Sequence, residues 1–200
     1  MVDDCVEHRQ HSKVKIKSKK VFSSQISTVC FSCVQTSNSI RRDLRTDFEL
    51  IFVGDFIDAS FREKILSKIS MYQIKDQVIF RGELIGESKF KEFNDCNVLV
   101  FPSKVPSETF GLVIVEAMQF FKPSVVTNLN GPRYVVQNNF DSLLYQSENI
   151  QDLYDKILLL RTDNVLYTTL CNNARRSYEE KYTLDNFEKK VSSILSNLSK

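Results

Sequence analysis

Apolar residues along this chain fall into short runs, separated by stretches in which they recur every three or four positions. Phe48 to Val53 (Phe-Glu-Leu-Ile-Phe-Val) is such a run; it stops at Gly54 and predicts a buried strand. Ala59 to Tyr72 follows with Phe61, Ile65, Ile69 and Tyr72 on one side, the spacing of an amphipathic helix. Val78 to Phe80, closed by Gly82, predicts a second strand, and Ser88 to Cys96 puts Phe90 and Phe93 on one helical face. Val98 to Phe101 is a third strand, stopped by Pro102; after the segment Phe110 to Phe121, Ser124 to Thr127 is a fourth. Pro132 suits the first turn of a helix running to Asn138, and Leu143 to Tyr145 is a fifth strand. Three helices close the chain, Ile150 to Arg161, Val165 to Lys181 and Leu184 to Leu198, with Asn149, Asn164 and Thr183 as caps. Repeated strand–helix alternation predicts an α/β fold, a doubly wound, Rossmann-like parallel sheet with helices on both faces.

The pattern starts only near Asp47. Val21 to Arg45 is rich in Ser, Thr and Gln, with one weak apolar patch at Val29 to Val34, and has no assignment from periodicity. The expected organisation is therefore a poorly defined segment over 1–46 and one domain over 47–200. The run Lys13 to Lys20 reads as a solvated or frayed terminal stretch rather than a nucleic-acid contact, because the formal net charge of the 200 residues is only +2. With 42% hydrophobic and 26% charged residues the composition is that of a soluble globular protein, and no apolar run is long enough to span a bilayer. The polar N-terminus carries no secretory signal, which points to a cytoplasmic setting with reduced thiols. Among Cys5, Cys30, Cys33, Cys96 and Cys171 only Cys30 and Cys33 form a Cys-x-x-Cys, and with no second Cys/His pair nearby they read as small hydrophobes rather than metal ligands. His8 and His11 lie in the polar N-terminal segment and offer no general base.

In such sheets ligands bind at the carboxyl ends of strands, near helix N-termini. Two junctions stand out. Val53-Gly54-Asp55 removes a side chain where a ligand would approach, although a plain tight turn also explains it. Phe101 to Met118 is more informative: Glu116 is the only charge between Glu108 and Lys122, set among Val, Ile, Ala and Met. An ionised carboxylate there needs donors, no cation lies within one helical turn, and a ligand's hydroxyl groups would serve. Glu108, eight residues earlier, would reach the same crevice, while Gly111 lets backbone N–H groups face an anion. Two other readings stay open at this level: Glu116 at an exposed helix position, and Val-Ile-Val as a strand.

Glu108-Thr-Phe-Gly-Leu-Val-Ile-Val-Glu116-Ala-Met resembles the Glu-x7-Glu signature of the retaining glycosyltransferase family 4 group, of GT-B architecture. Phe48 to Asp55, Val78-Ile-Phe-Arg-Gly82, Cys96 to Ser103, Lys122 to Thr127 and Tyr178 to Phe187 are similar to its other segments, in the family's order over 46–198. The resemblance implies a single GT-B half-domain with extra C-terminal helices, 1–46 being a degraded first β–α unit and 47–200 binding a nucleotide-diphosphate sugar. By matching position, Glu116 would accept from the ribose hydroxyls, and Glu108 would contact the donor sugar as the catalytic carboxylate. The backbone N–H groups of Phe110, Gly111 and Leu112 would hold the sugar or diphosphate, and Gly54 with the Arg81-Gly82 turn would line the base and diphosphate side. The implied chemistry is retaining hexosyl transfer to a glycan or lipid-linked acceptor, with no metal and no cofactor. The family's Gly-Arg and Lys near its first strand have no counterpart in Val21 to Arg45, leaving Lys104, Arg81 and Arg133 as candidate cations. The family's acceptor-binding half is not represented, so the resemblance implies either the donor half of an enzyme or an accessory subunit paired with a separate acceptor-domain protein. Peripheral membrane contact stays open on this reading. A dinucleotide-dependent enzyme is the remaining alternative, disfavoured because no Gly-x-Gly-x-x-Gly follows any predicted strand.

Overall fold

The computed structural model describes residues 19–24 (backbone only), 34–36, 48–56, 58–103, 108–129 and 131–198. Its core is a six-stranded, fully parallel sheet of β1 (Lys19–Ser24), β2 (Phe48–Val53), β3 (Val78–Phe80), β4 (Val98–Phe101), β5 (Ser124–Thr127) and β6 (Ser142–Tyr145). The spatial order is β3-β2-β1-β4-β5-β6, the doubly wound arrangement predicted from the alternation. Connecting and following helices are α1 (Ala59–Met71), α2 (Gly86–Asp95), α3 (Leu112–Gln119), α4 (Pro132–Val135), α5 (Ile150–Thr162), α6 (Asn164–Lys181) and α7 (Leu184–Leu198).

The strands are apolar at successive positions because both faces are covered, and alternate side chains serve different layers. Phe48, Leu50 and Phe52 of β2, Val98 and Val100 of β4 and Leu143 and Tyr145 of β6 pack with Ile65 and Ile69 of α1 and Leu153 and Ile157 of α5. Ile51, Val53, Leu99, Phe101 and Val126 point the other way, onto Phe93 of α2, Ile114, Ala117 and Met118 of α3, Val135 of α4 and Ala174 of α6. Cys96 and Cys171 are buried and stand outside any disulfide, and burial pushes the Cys96 thiol up to about 12, so it behaves as a small hydrophobe. Cys5, Cys30, Cys33, His8, His11 and Lys104 lie outside the described residues.

Several local expectations need adjusting. Lys19 and Lys20 open a strand rather than belonging to a frayed stretch, and that strand lies in the middle of the sheet, paired with β2 and β4. The helix at Pro132 ends at Val135, short of Asn138. Helix α6 is capped by Asp163, whose carboxylate accepts from Leu166 N, and not by Asn164. The cap at Asn149 is as expected, its side chain accepting from Asp152 N, and Thr183 Oγ1 accepts from Asn186 N at 3.3 Å.

The turn into β6 is pinned by a buried carboxylate. Asp141 Oδ1 accepts from Gln137 N at 2.8 Å and Oδ2 from the Ser177 hydroxyl at 2.7 Å. Burial raises the Asp141 carboxyl above its ordinary range, opposed by the hydrogen bonds from Ser177 and Gln137. A carboxyl raised in the folded state favours folding below its ordinary pKa and loses that contribution as pH rises through the raised value. The Ser177 and Gln137 donors favour the ionised form and so offset part of that loss. Ser177→Ala should cost about 1.5–3 kcal/mol at neutral pH, and the loss should shrink on acidification through the raised Asp141 pKa. Urea unfolding of both proteins across that range measures it; a penalty independent of pH would contradict the assignment.

Candidate donor-binding site

The sheet reverses its winding between β1 and β4, and in doubly wound sheets the crevice opens above that point, outside the strands' carboxyl ends. The residues singled out from the sequence reach that edge as two groups, on either side of β1.

The first group surrounds the tip of α3. Strand β4 ends at Phe101 and is followed by buried Pro102 and Ser103; Glu108 is half-buried, and Thr109 and Phe110 are exposed. Gly111 opens the helix at φ 79° and ψ 59°, a left-handed geometry that glycine adopts without strain. A Cβ there would stand 3.1 Å from Ile114 Cδ1 and 3.4 Å from Phe101 Cε1. Glycine also brings no capping side chain, so although Ile114 N donates to Gly111 O at 2.9 Å, no side chain caps the N–H groups of Leu112 and Val113 or the positive end of the helix dipole, which suits an outside acceptor. Leu112 stands out at 70% exposure beside that tip.

Glu116 lies one turn further along α3. It is neither immersed in the core nor out in bulk solvent: its side chain is 33% accessible and its Oε1 accepts from Lys89 Nζ at 2.6 Å. Lys89 belongs to α2, 27 residues earlier, so the cation that no neighbour within a helical turn supplies comes from the adjacent helix. The carboxylate is therefore not deprived of donors, which removes part of the electrostatic argument made from the sequence. Its second oxygen makes no hydrogen bond with the described residues.

The second group joins β2 to β3. Gly54 (φ 115°) and Gly82 (φ 66°) face each other across an antiparallel bridge, Gly54 N donating to Gly82 O at 2.7 Å, while Arg81 N donates to Phe52 O at 2.9 Å. Two positive-φ glycines side by side leave a smooth backbone shelf at the sheet edge. The Arg81 guanidinium turns away to α2, where Nε meets Glu92 Oε1 at 2.8 Å. Arg133 is exposed and lies over the Tyr134 ring, 5.2 Å from its centroid.

Three supporting residues were not visible in the sequence pattern. Lys89 carried no signal beyond its place on a helix. Gly131 reads only as punctuation before Pro132, yet a Cβ on it would fall 1.9 Å from Thr109 O, so the chain after β5 presses directly on the Glu108–Phe110 loop. Tyr182 meets Phe110 edge to face at 6.2 Å and donates its hydroxyl to Val135 O, tying the end of α6 to the same loop.

Residues 33–177 match the family model described as glycosyl transferases group 1. An uncharacterized glycosyltransferase of Methanocaldococcus jannaschii is 31% identical over 157 residues, which is 76% of this chain and 42% of that protein. The crystal structure of HepE from Anabaena in complex with UDP and glucose superposes with a TM-score of 0.78 at 19% identity, covering 90% of this chain and 49% of that one. The C-terminal domain of a glycosyl transferase group 1 family protein (LpcC) from Francisella tularensis gives 0.72 at 18% identity, over 84% of this chain and 86% of that domain. The chain thus spans about half the length of the longer proteins it matches, and nearly the whole of the isolated C-terminal domain.

Proposed function

Because the chain belongs to the glycosyl transferases group 1 family, we propose that its α3 tip and the Gly54–Gly82 shelf form the donor site for a nucleotide-diphosphate sugar. The observation that carries the reading is the pairing of an uncapped, glycine-opened helix tip with a half-buried carboxylate one turn below it. The diphosphate sits against the N–H groups at the tip, where the helix dipole offsets charge developing on the leaving group. The ribose hydroxyls donate to Glu116, Glu108 contacts the sugar, and the base lies toward Gly54 and Gly82. In this reading the transferred group is a hexose, moved with retention and without a metal to a glycan or lipid-linked acceptor. Arg81, held by Glu92, serves as a strut for the shelf rather than as a diphosphate clamp.

Helix α7 favours a particular arrangement of the whole enzyme. It has no buried residue, and Leu184, Phe187, Val191, Ile194, Leu195 and Leu198 are all exposed along one side. An apolar stripe of that length marks an interaction surface. It suits an acceptor-binding half lying across the cleft, supplied by the same polypeptide or by a separate subunit. No helix among the described residues is long and apolar enough to cross a membrane.

The test is nucleotide-dependent stabilisation. UDP, GDP and ADP are each titrated against the chain, and the correct one at a hundredfold excess over Kd adds about 2.7 kcal/mol, a Tm rise of about 5–10 °C for a chain of this size. Glu116→Ala should lose hydroxyl contacts worth about 2–4 kcal/mol, roughly 30- to 700-fold in affinity, and with them most of the shift. No shift with any of the three, or a full shift in Glu116→Ala, overturns the assignment. Glycosyl transfer is expected only when an acceptor-binding half is added.

A further inference from the structure

Resting on the donor-site reading above, we propose that Lys89 is a positioning residue for ribose recognition, fixing the carboxylate of Glu116 so that it meets two neighbouring hydroxyls at once. The geometry is specific. Lys89 Nζ donates to Oε1 of Glu116 at 2.6 Å, and no hydrogen bond from the described residues reaches Oε2. An ionised carboxylate offers about four acceptor directions, so a single ammonium leaves room for both hydroxyls of a ribose. A free glutamate at this place would have to freeze its side-chain torsions on binding; one already held by a cation has met that cost beforehand.

The helix carrying the ammonium is itself held. Phe90 and Phe93 of α2 both pack on Phe120 at the end of α3, with ring centroids 5.6 and 5.7 Å away. Lys89 therefore approaches Glu116 from a base fixed against the same helix. Its pair is about a third accessible on both sides, a setting in which ion pairs add little to stability. The contact is thus better accounted for by orientation of the carboxylate than by support of the fold.

The experiment compares affinity for UDP, GDP and ADP with affinity for their dideoxy counterparts, which lack the ribose hydroxyls, in the full chain and in Lys89→Met and Lys89→Arg. The wild-type protein should prefer the hydroxylated form of whichever nucleotide it binds. Lys89→Met should weaken that form roughly tenfold while leaving the dideoxy form unchanged, and Lys89→Arg should restore most of the preference. Equal weakening of both forms would place Lys89 on the diphosphate or in the fold, and an undiminished preference in Lys89→Met would show that Glu116 orients itself; either result overturns the inference while the donor site stands. Failure of the wild-type chain to bind any of the three nucleotides removes the donor site and the role of Lys89 together.

Discussion

Phe101→Ala should lower stability by about 3–5 kcal/mol and, at temperatures where the variant is still folded, weaken nucleotide binding as well. Phe101 is fully buried at the end of β4, among the largest enclosed side chains of the protein. Its ring atoms Cε1 and Cζ lie 3.4 and 3.5 Å from the place where a Cβ on Gly111 would stand, so the ring forms the floor under the residue that opens α3. Truncation leaves a cavity in the layer formed with Ile114, Ala117 and Met118 and frees the left-handed turn above it. The two consequences separate experimentally. Urea unfolding reports the first, and calorimetric titration with the nucleotide that stabilises the wild-type chain reports the second, expected as roughly a tenfold loss. Lost stability with full affinity would mean that the α3 tip is held from the loop side alone.

The sheet was legible because β2 and β4 are enclosed on both faces and must be apolar at nearly every position. Phe48 to Val53 and Val98 to Phe101 could hardly read otherwise. The exception is β1, Lys-Lys-Val-Phe-Ser-Ser, which carries no apolar run and yet lies between β2 and β4. Its place is defined by backbone ladders on both sides, from Lys19 opposite Phe48 to Ser24 opposite Val53 and from Val21 opposite Val98. Backbone pairing leaves no mark on the side-chain pattern. The boundary errors have equally local causes: Asp163 and Asn164 are both competent caps, and only the geometry of Leu166 N chooses between them.

The site shows the same division. The Glu108–Glu116 spacing and Gly111 are properties of one segment and could be read from it. The partners that position this segment come from elsewhere in the chain, Lys89 from α2, Gly131 from the turn after β5 and Tyr182 from the end of α6. A charge that looked orphaned in sequence found its counterion across a helix–helix seam, a contact that no spacing rule anticipates. The Gly54–Gly82 bridge belongs to both kinds: each glycine was visible, but their side-by-side placement depends on the β2–β3 register.

Gly131→Ala provides the sharpest test of how the donor loop is held, because local preference and tertiary contact both oppose the change. Gly131 is the N-cap of α4 and directly precedes Pro132; it holds φ −52° and ψ −51°, a geometry that the proline ring disfavours for a residue bearing a Cβ, and alanine is a poor N-cap. The added methyl would also stand 1.9 Å from Thr109 O, 2.2 Å from its carbonyl carbon and 2.8 Å from its Cα, all backbone atoms that cannot rotate aside. The Thr109 segment or the start of α4 must move by more than an ångström, and overpacking of this kind costs about 1–3 kcal/mol. Since Thr109 lies between Glu108 and Phe110, the displacement carries the sugar-contacting carboxylate and the α3 tip with it. A fall in Tm should therefore come with more than a tenfold loss of nucleotide affinity. A rise in Tm with unchanged affinity would show that the two loops are not pressed together in solution, and the Glu108–Phe110 segment would then have to be positioned from its own side of the cleft by Phe101 and Tyr182.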